Sequence, residues 1–180
     1  IVDRCHVSVR SESGEPVLLE TDHILIATGS VPACPPIPGA DLPGVVTSDG
    51  LLDKQDMFGH LIIIGGGVIG MEFASIYSSL GHPVTVIEAL DRILPGMDKE
   101  IAQNLKMILK KRGTDIHTGA RVEEILRAGD GRGLACRFVE KDKAWEVTAD
   151  GILIATGRRA YTGGLISEES SQDIKDMAME

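Results

Sequence analysis

Short aliphatic runs alternate along this chain with stretches whose apolar positions recur at a helical period. Residues 60–64 form one such run, closed by glycines. Beyond it Ile69, Phe73, Ile76 and Leu80 stand four, three and four apart, an apolar stripe that predicts an amphipathic helix. Gly81 is placed to cap that helix, and Pro83 cannot continue it. Residues 84–87 are rich in β-branched side chains and read as a second strand. Asp98 then caps a helix with Ile101, Leu105, Ile108 and Leu109 facing inward. Its last turn carries Lys110, Lys111 and Arg112, where cations suit the helix dipole, and Gly113 ends it. Residues 114–118 read as a third parallel strand, completing βαβαβ.

The flanks follow other patterns. Residues 7–10 and 16–20 surround Ser13-Gly14 and predict a β-hairpin. Residues 24–27 read as a short strand buried on both faces. Residues 122–148 alternate as a hairpin or meander, with turns at Gly129-Asp130-Gly131 and Lys141-Asp142. Residues 152–155 return to the sheet. From Thr162 the tail is polar and weakly patterned, and is expected to be loosely held. The fold class is therefore α/β: a three-layer, Rossmann-like βαβαβ parallel sheet with a β-meander crossover.

One repeat bears on domain organisation. Ile24-Leu25-Ile26-Ala27-Thr28-Gly29 returns unchanged as Ile152-Leu153-Ile154-Ala155-Thr156-Gly157, and an aspartate stands two residues before each copy, at Asp22 and Asp150. A single glycine fingerprint lies between them, 87 residues before the second copy. A matching fingerprint for the first copy would fall before residue 1, so the expectation is an internal piece of a protein with two dinucleotide-binding units. Residues 31–39 hold four prolines and read as an extended linker. The expected division is residues 1–40, residues 41–160 and residues 161–180.

Composition narrows the function classes. A formal charge of −9 and a pI near 5.0 disfavour nucleic-acid or anionic-membrane surfaces, which want a basic face. The run Leu61–Ile64 is far too short to cross a bilayer. Three scattered cysteines form no CxxC or CxxxxC pair and suit a reducing, cytoplasmic setting.

The chemistry sits in Gly65-x-Gly67-x-x-Gly70, which follows a predicted strand and opens a predicted helix. Gly65 permits a tight turn, Gly67 lets a pyrophosphate approach the backbone, and Gly70 lets helix and strand pack closely. The helix start offers free N–H groups and partial positive charge. Glu88, 23 residues after Gly65, ends the next strand and can accept hydrogen bonds from ribose hydroxyls. The alternative is a purely structural glycine turn. A carboxylate there repels a 2′-phosphate, and Ala89-Leu90-Asp91 offers no arginine, so NAD is favoured over NADP. Arg92, four residues on, could swing back.

Residues 65–72, the stretch from Val84 through Glu88, Arg92 and Pro95 to Asp98, the Pro35-Pro36-Ile37-Pro38-Gly39 segment and both Ala-Thr-Gly motifs resemble the dihydrolipoamide dehydrogenases, within the pyridine nucleotide-disulfide oxidoreductase family. The resemblance implies a flavoenzyme whose NAD domain is inserted into an FAD domain, leaving residues 1–40 and the tail as partial FAD-domain segments. By that likeness Thr28, Gly29 and Ser30 lie against FAD. Gly65, Gly66, Gly67, Val68, Ile69 and Gly70 hold the NAD pyrophosphate, Glu88 the ribose, and Val122 the adenine side. Ala155, Thr156, Gly157 and Arg158 close over the cofactor. Glu72 matches a glutamate near the nicotinamide; the alternative is a carboxylate placed by the helix dipole.

The implied parent reaction is hydride transfer between NAD and FAD, with electrons exchanged with a disulfide. The parent is expected to be a homodimer that acts on a lipoyl-bearing protein of a 2-oxoacid dehydrogenase-type complex. Mercuric reductases and NADH oxidases share the same segments, and a stand-alone NAD-binding module is a third alternative. Absent from this sequence are the CxxxxC disulfide, the first FAD-binding glycine motif and the C-terminal His-Glu pair. None of His6, His23, His60, His82 and His117 matches a family acid–base position, and Arg159-Ala160-Tyr161 departs from the family pattern. The chain itself is thus expected to be catalytically incomplete and colourless. No metal-ligand set stands out.

Overall fold

A computed structural model describes residues 1–10, 14–129, 131–166 and 170. The chain divides into two compact units, one of residues 1–31 with 159–180 and one of residues 32–158. The proline-rich segment read as a linker falls within the second unit, where Ile37 packs against the core and Pro38 O accepts a hydrogen bond from Ile125 N at 2.8 Å.

In the first unit, strands β1 (His6–Val9) and β2 (Val17–Glu20) pair antiparallel as the predicted hairpin. Ser13, in its turn, lies outside the described residues. Residues 24–27, predicted to be a buried strand, are not one: they join no ladder, and Leu25 is 91% exposed. In the second copy Ile152, Leu153 and Ile154 do form a strand, because there they have strands on both sides. A strand's backbone groups need partners, and a sequence cannot bring them. Of the tail expected to be loosely held, residues 162–166 are described, with Leu165 N bonded to Thr162 O; residues 167–169 and 171–180 lie outside.

After β3 (Ser30–Pro32), the second unit runs β4 (Val45–Thr47), α1 (Ser48–Leu52), β5 (Leu61–Ile64), α2 (Val68–Ser79), β6 (Val84–Glu88), α3 (Lys99–Lys111), β7 (Asp115–Thr118), β8 (Ala120–Arg127), β9 (Leu134–Glu140), β10 (Lys143–Ala149) and β11 (Gly151–Ile154). The last strand, β12 (Arg158–Ala160), pairs with β3. Five parallel strands form the central sheet in the order β4-β11-β5-β6-β7. Side chains alternate across it. Leu61 and Ile63 face the helix side with Met71, Ala74, Tyr77, Ala102 and Leu109, whereas Ile62 and Ile64 meet Ile125, Leu134, Cys136 and Phe138 of the meander. Helices, parallel sheet and antiparallel β10-β9-β8 sheet make the three layers the pattern predicts.

The caps also match. Asp98 accepts from Glu100 N and Ile101 N, and Gly81 and Gly113 take positive φ just past their helices. Lys141 and Asp142 turn β9 into β10 with φ of 50° and 60°, as a two-residue hairpin requires.

The helix faces do not all match. In α2 the buried residues are Gly70, Met71, Ala74 and Tyr77; of the predicted stripe Phe73 packs against the core, while Ile76 is 50% and Leu80 61% exposed. Gly70 sits so close to the preceding turn that the helix approaches the sheet through the side carrying Gly70 and Ala74, flanked by Met71 and Tyr77. In α3 Ala102, Leu105 and Leu109 face the core, and Ile101 and Ile108 turn outward. Strand β4 and helix α1 are short enough that the pattern gives no sign of them.

His117, buried at the edge of the sheet, is structural. Its Nδ1 lies 2.8 Å from Glu140 and its Nε2 3.1 Å from Asp115, so the ring ties β7 to β9 beside Phe138.

Candidate functional site

Strands β5, β6 and β11 run parallel, so their carboxyl ends open on one edge of the sheet, where ligands of open α/β sheets bind. A cavity of about 600 Å³ lies there, within the usual range for small-molecule sites. Its wall combines the glycine turn, the residues following β6, the start of β8 and the residues following β11.

The three fingerprint glycines are glycine for different reasons. Gly65 has φ of 114°, and a Cβ there would stand 2.4 Å from Ala155 O. At Gly70 a Cβ would stand 2.1 Å from Gly65 O. The fold itself demands both. Gly67 differs: its φ is −74°, which any residue adopts, and a Cβ would meet nothing within 4 Å. It lines the cavity at the N-cap of α2, with no side chain capping the helix.

Glu88 ends β6 with only 8% exposure. Its Oε2 accepts from Gly66 N and its Oε1 from Leu90 N at 2.7 Å, so one carboxylate ties the glycine turn to the loop beyond β6. Leu94 N reaches Gly66 O at 2.8 Å and braces the same turn. On the far wall Thr156 Oγ1 donates to Ala33 O, and Ala33 N donates to Gly157 O.

Of the residues singled out from sequence, Gly65, Gly67, Val68, Ile69, Glu88, Val122, Ala155, Thr156 and Gly157 line this one cavity. Gly66 and Gly70 shape its wall from behind. Glu72 is exposed on α2 outside the lining. Arg158 points its guanidinium at Asp49, 2.9 Å away, and that hydrogen bond holds the Asp49 carboxyl below the usual range. Thr28, Gly29 and Ser30 belong to the first unit, or to its margin, where the Thr28 hydroxyl donates to Tyr161 O.

Sequence reasoning did not single out Pro35, Ile37, Ala89, Leu90, Pro95, Ala120 and Arg121, which complete the lining together with the strand residues Ile64 and Ile87. Arg92, considered as a possible cation beside Glu88, instead donates to Pro95 O at 2.7 Å and lines a separate cleft with Lys99 and Lys106. Cys5 and Cys34 are exposed and free, while burial pushes the Cys136 thiol up to about 12. Among the described residues, no cluster of three metal-ligating side chains occurs, and no helix is long and apolar enough to cross a membrane.

The sequence profile of the pyridine nucleotide-disulphide oxidoreductases matches residues 1–176. The chain belongs to that family. Dihydrolipoyl dehydrogenase 3 of Pseudomonas putida is 40% identical over 161 residues, 88% of this chain and 34% of that protein. A mercuric reductase of Streptomyces lividans is 35% identical over 159 residues, 88% of this chain and 33% of that one. Among solved structures, the HOCl-induced flavoprotein disulfide reductase RclA from Escherichia coli superposes with a TM-score of 0.75 at 34% identity, covering 94% of this chain and 37% of that one. The chain thus spans about a third of the length of the relatives it matches.

Proposed function

We propose that residues 32–158 are the NAD(H)-binding domain of an FAD-dependent, dihydrolipoamide dehydrogenase-like disulfide oxidoreductase. The observation that carries the reading is Gly67. The fold gives no steric reason for a glycine there, yet it faces a cavity at an uncapped helix start. A pyrophosphate seated against that backbone supplies the missing reason.

The residues present fit NAD. The first backbone N–H groups of α2, from Val68 and Ile69, are unspent by the helix and suit the two phosphates. Glu88 has its two oxygens fixed by backbone donors, and the remaining lone pairs suit ribose hydroxyls. Val122 and Ala120 offer an apolar wall for adenine, and Ala155, Thr156 and Gly157 close the opposite side. Glu72 lies outside the cavity lining and is assigned to the nicotinamide end by the family likeness alone; Arg158, held by Asp49, supports the closing segment. NAD, when bound, supplies a hydride acceptor or donor; the chain's own residues bind and orient it.

In the full-length protein, FAD would rest against Thr28, Gly29 and Ser30, and the disulfide and acid–base pair would come from sequence outside this chain. The lipoyl-bearing partner and a homodimeric parent belong to the same reading. The mercuric reductase relative, at nearly the same coverage, supports a second reading in which the domain serves another substrate of the same chemistry.

Gly67→Val tests the site. A Cβ at Gly67 meets nothing within 4 Å, so the melting temperature is expected to stay within about 3 °C of the parent, as for an exposed substitution. NADH affinity is expected to fall on the order of 100-fold, about 2.7 kcal/mol. Unchanged NADH binding in a folded variant contradicts a pyrophosphate at Gly67.

A further inference from the structure

Glu88 and Arg121 are the two charged side chains lining the cavity among the described residues. Although 33 positions apart in sequence, they belong to one wall. Glu88 pairs with Thr118 in the sheet register, and Leu90 O accepts from Gly119 N at 2.7 Å, so the loop leaving β6 lies beside the start of β8. The two charges are held very differently. Glu88 is nearly buried and its carboxylate is fixed by two backbone donors. The Arg121 side chain is 80% exposed, with a loose contact of 3.8 Å to Glu123. A buried, fixed anion at the ribose position repels an added phosphate. An exposed guanidinium on the same wall can turn to meet one, and its planar fork matches a phosphate's oxygens in pairs.

We infer that Arg121 is a specificity-determining residue for the dinucleotide. It contacts the 2′-phosphate of NADPH and gives the chain a measurable affinity for that dinucleotide, against the repulsion of Glu88, while contributing little to NADH. The inference rests on the NAD(H) site described above and assigns its tolerance for the phosphorylated nucleotide to one side chain.

The test is a calorimetric titration of the 180-residue chain and its Arg121→Ala and Arg121→Lys variants with NADH and NADPH, at low salt and at 0.5 M salt (roughly, to shorten the screening length to a few ångströms). For Arg121→Ala the expected result is a loss of about tenfold or more in NADPH affinity, with NADH changed less than about threefold. Arg121→Lys recovers part of the NADPH affinity, because a point charge replaces the fork. Added salt weakens NADPH binding in the parent chain and has much less effect in Arg121→Ala. Equal losses for both nucleotides overturn the inference, since Arg121 would then hold the shared adenosine. So does unchanged NADPH binding, or a parent chain that binds NADH and shows no NADPH affinity. Failure of the parent chain to bind NADH overturns the site reading itself, and this inference with it.

Discussion

Gly70→Ala is expected to cost about 3 kcal/mol of stability, the upper part of the range for overpacking, and to lower the melting temperature by roughly 10 °C. The added Cβ would stand 2.1 Å from Gly65 O and 3.2 Å from the Ile63 side chain. The first contact is with backbone, and that backbone cannot move easily. Gly65 N is bonded to Ile87 O, and Gly65 itself abuts the Ala155 carbonyl. Relief requires the first turn of α2 to lift from the sheet, which opens the packing around Met71, Ala74 and Tyr77. Thermal unfolding followed by circular dichroism measures the loss. A melting temperature within about 2 °C of the parent would show that helix and turn are not in the close contact described.

The second large effect belongs to Glu88→Ala, and it falls on stability and binding together. Without the carboxylate, Gly66 N and Leu90 N lose their acceptor at a site where Glu88 is almost fully buried. An unsatisfied buried donor costs about 1–3 kcal/mol. The ribose hydroxyls lose a charged acceptor as well, so NADH affinity is expected to fall on the order of 100-fold, two charge-assisted hydrogen bonds at their lower value. NADPH, relieved of the facing anion, is expected to lose much less or to gain. Urea unfolding and parallel NADH and NADPH titrations separate the two consequences. A variant that loses stability but keeps the parent's NADH affinity would confine Glu88 to bracing the turn.

Much of this structure is written locally in the sequence. Strands β5, β6 and β11 are short aliphatic or β-branched runs bounded by Gly, Pro and Asp, and each is a strand. The alternation after Val122 becomes the antiparallel meander, and the caps at Asp98, Gly81 and Gly113 fall where their side chains or φ values suit them. The hidden part is set by contacts between distant segments. Helix α2 offers two stripes at the same period, one of Ile69, Phe73, Ile76 and Leu80 and one of Gly70, Met71, Ala74 and Tyr77, and hydrophobicity favours the first. Packing through Gly70 selects the second, with Phe73 at its margin. Residues 24–27 and 152–155 are identical, yet strand forms only in the second copy, over Ile152, Leu153 and Ile154, because only it stands between β4 and β5.

The site divides in the same way. The glycine turn and Glu88 announce themselves through spacing, and the segment after β11 through its likeness to a family. Arg121 and Ala120 reach the cavity through the Glu88–Thr118 register, and Pro35 and Ile37 through packing of a segment that reads as a linker. Arg92 is nearer to Glu88 in sequence than Arg121, but it is turned away by its bond to Pro95.

The proposed NAD(H) pocket lies within residues 32–158. The most direct test is a calorimetric titration of the chain with NADH. Saturable binding at one site per chain, tighter for NADH than for NADPH, is the expected result. Absence of binding at millimolar NADH, or tighter binding of NADPH, would contradict it.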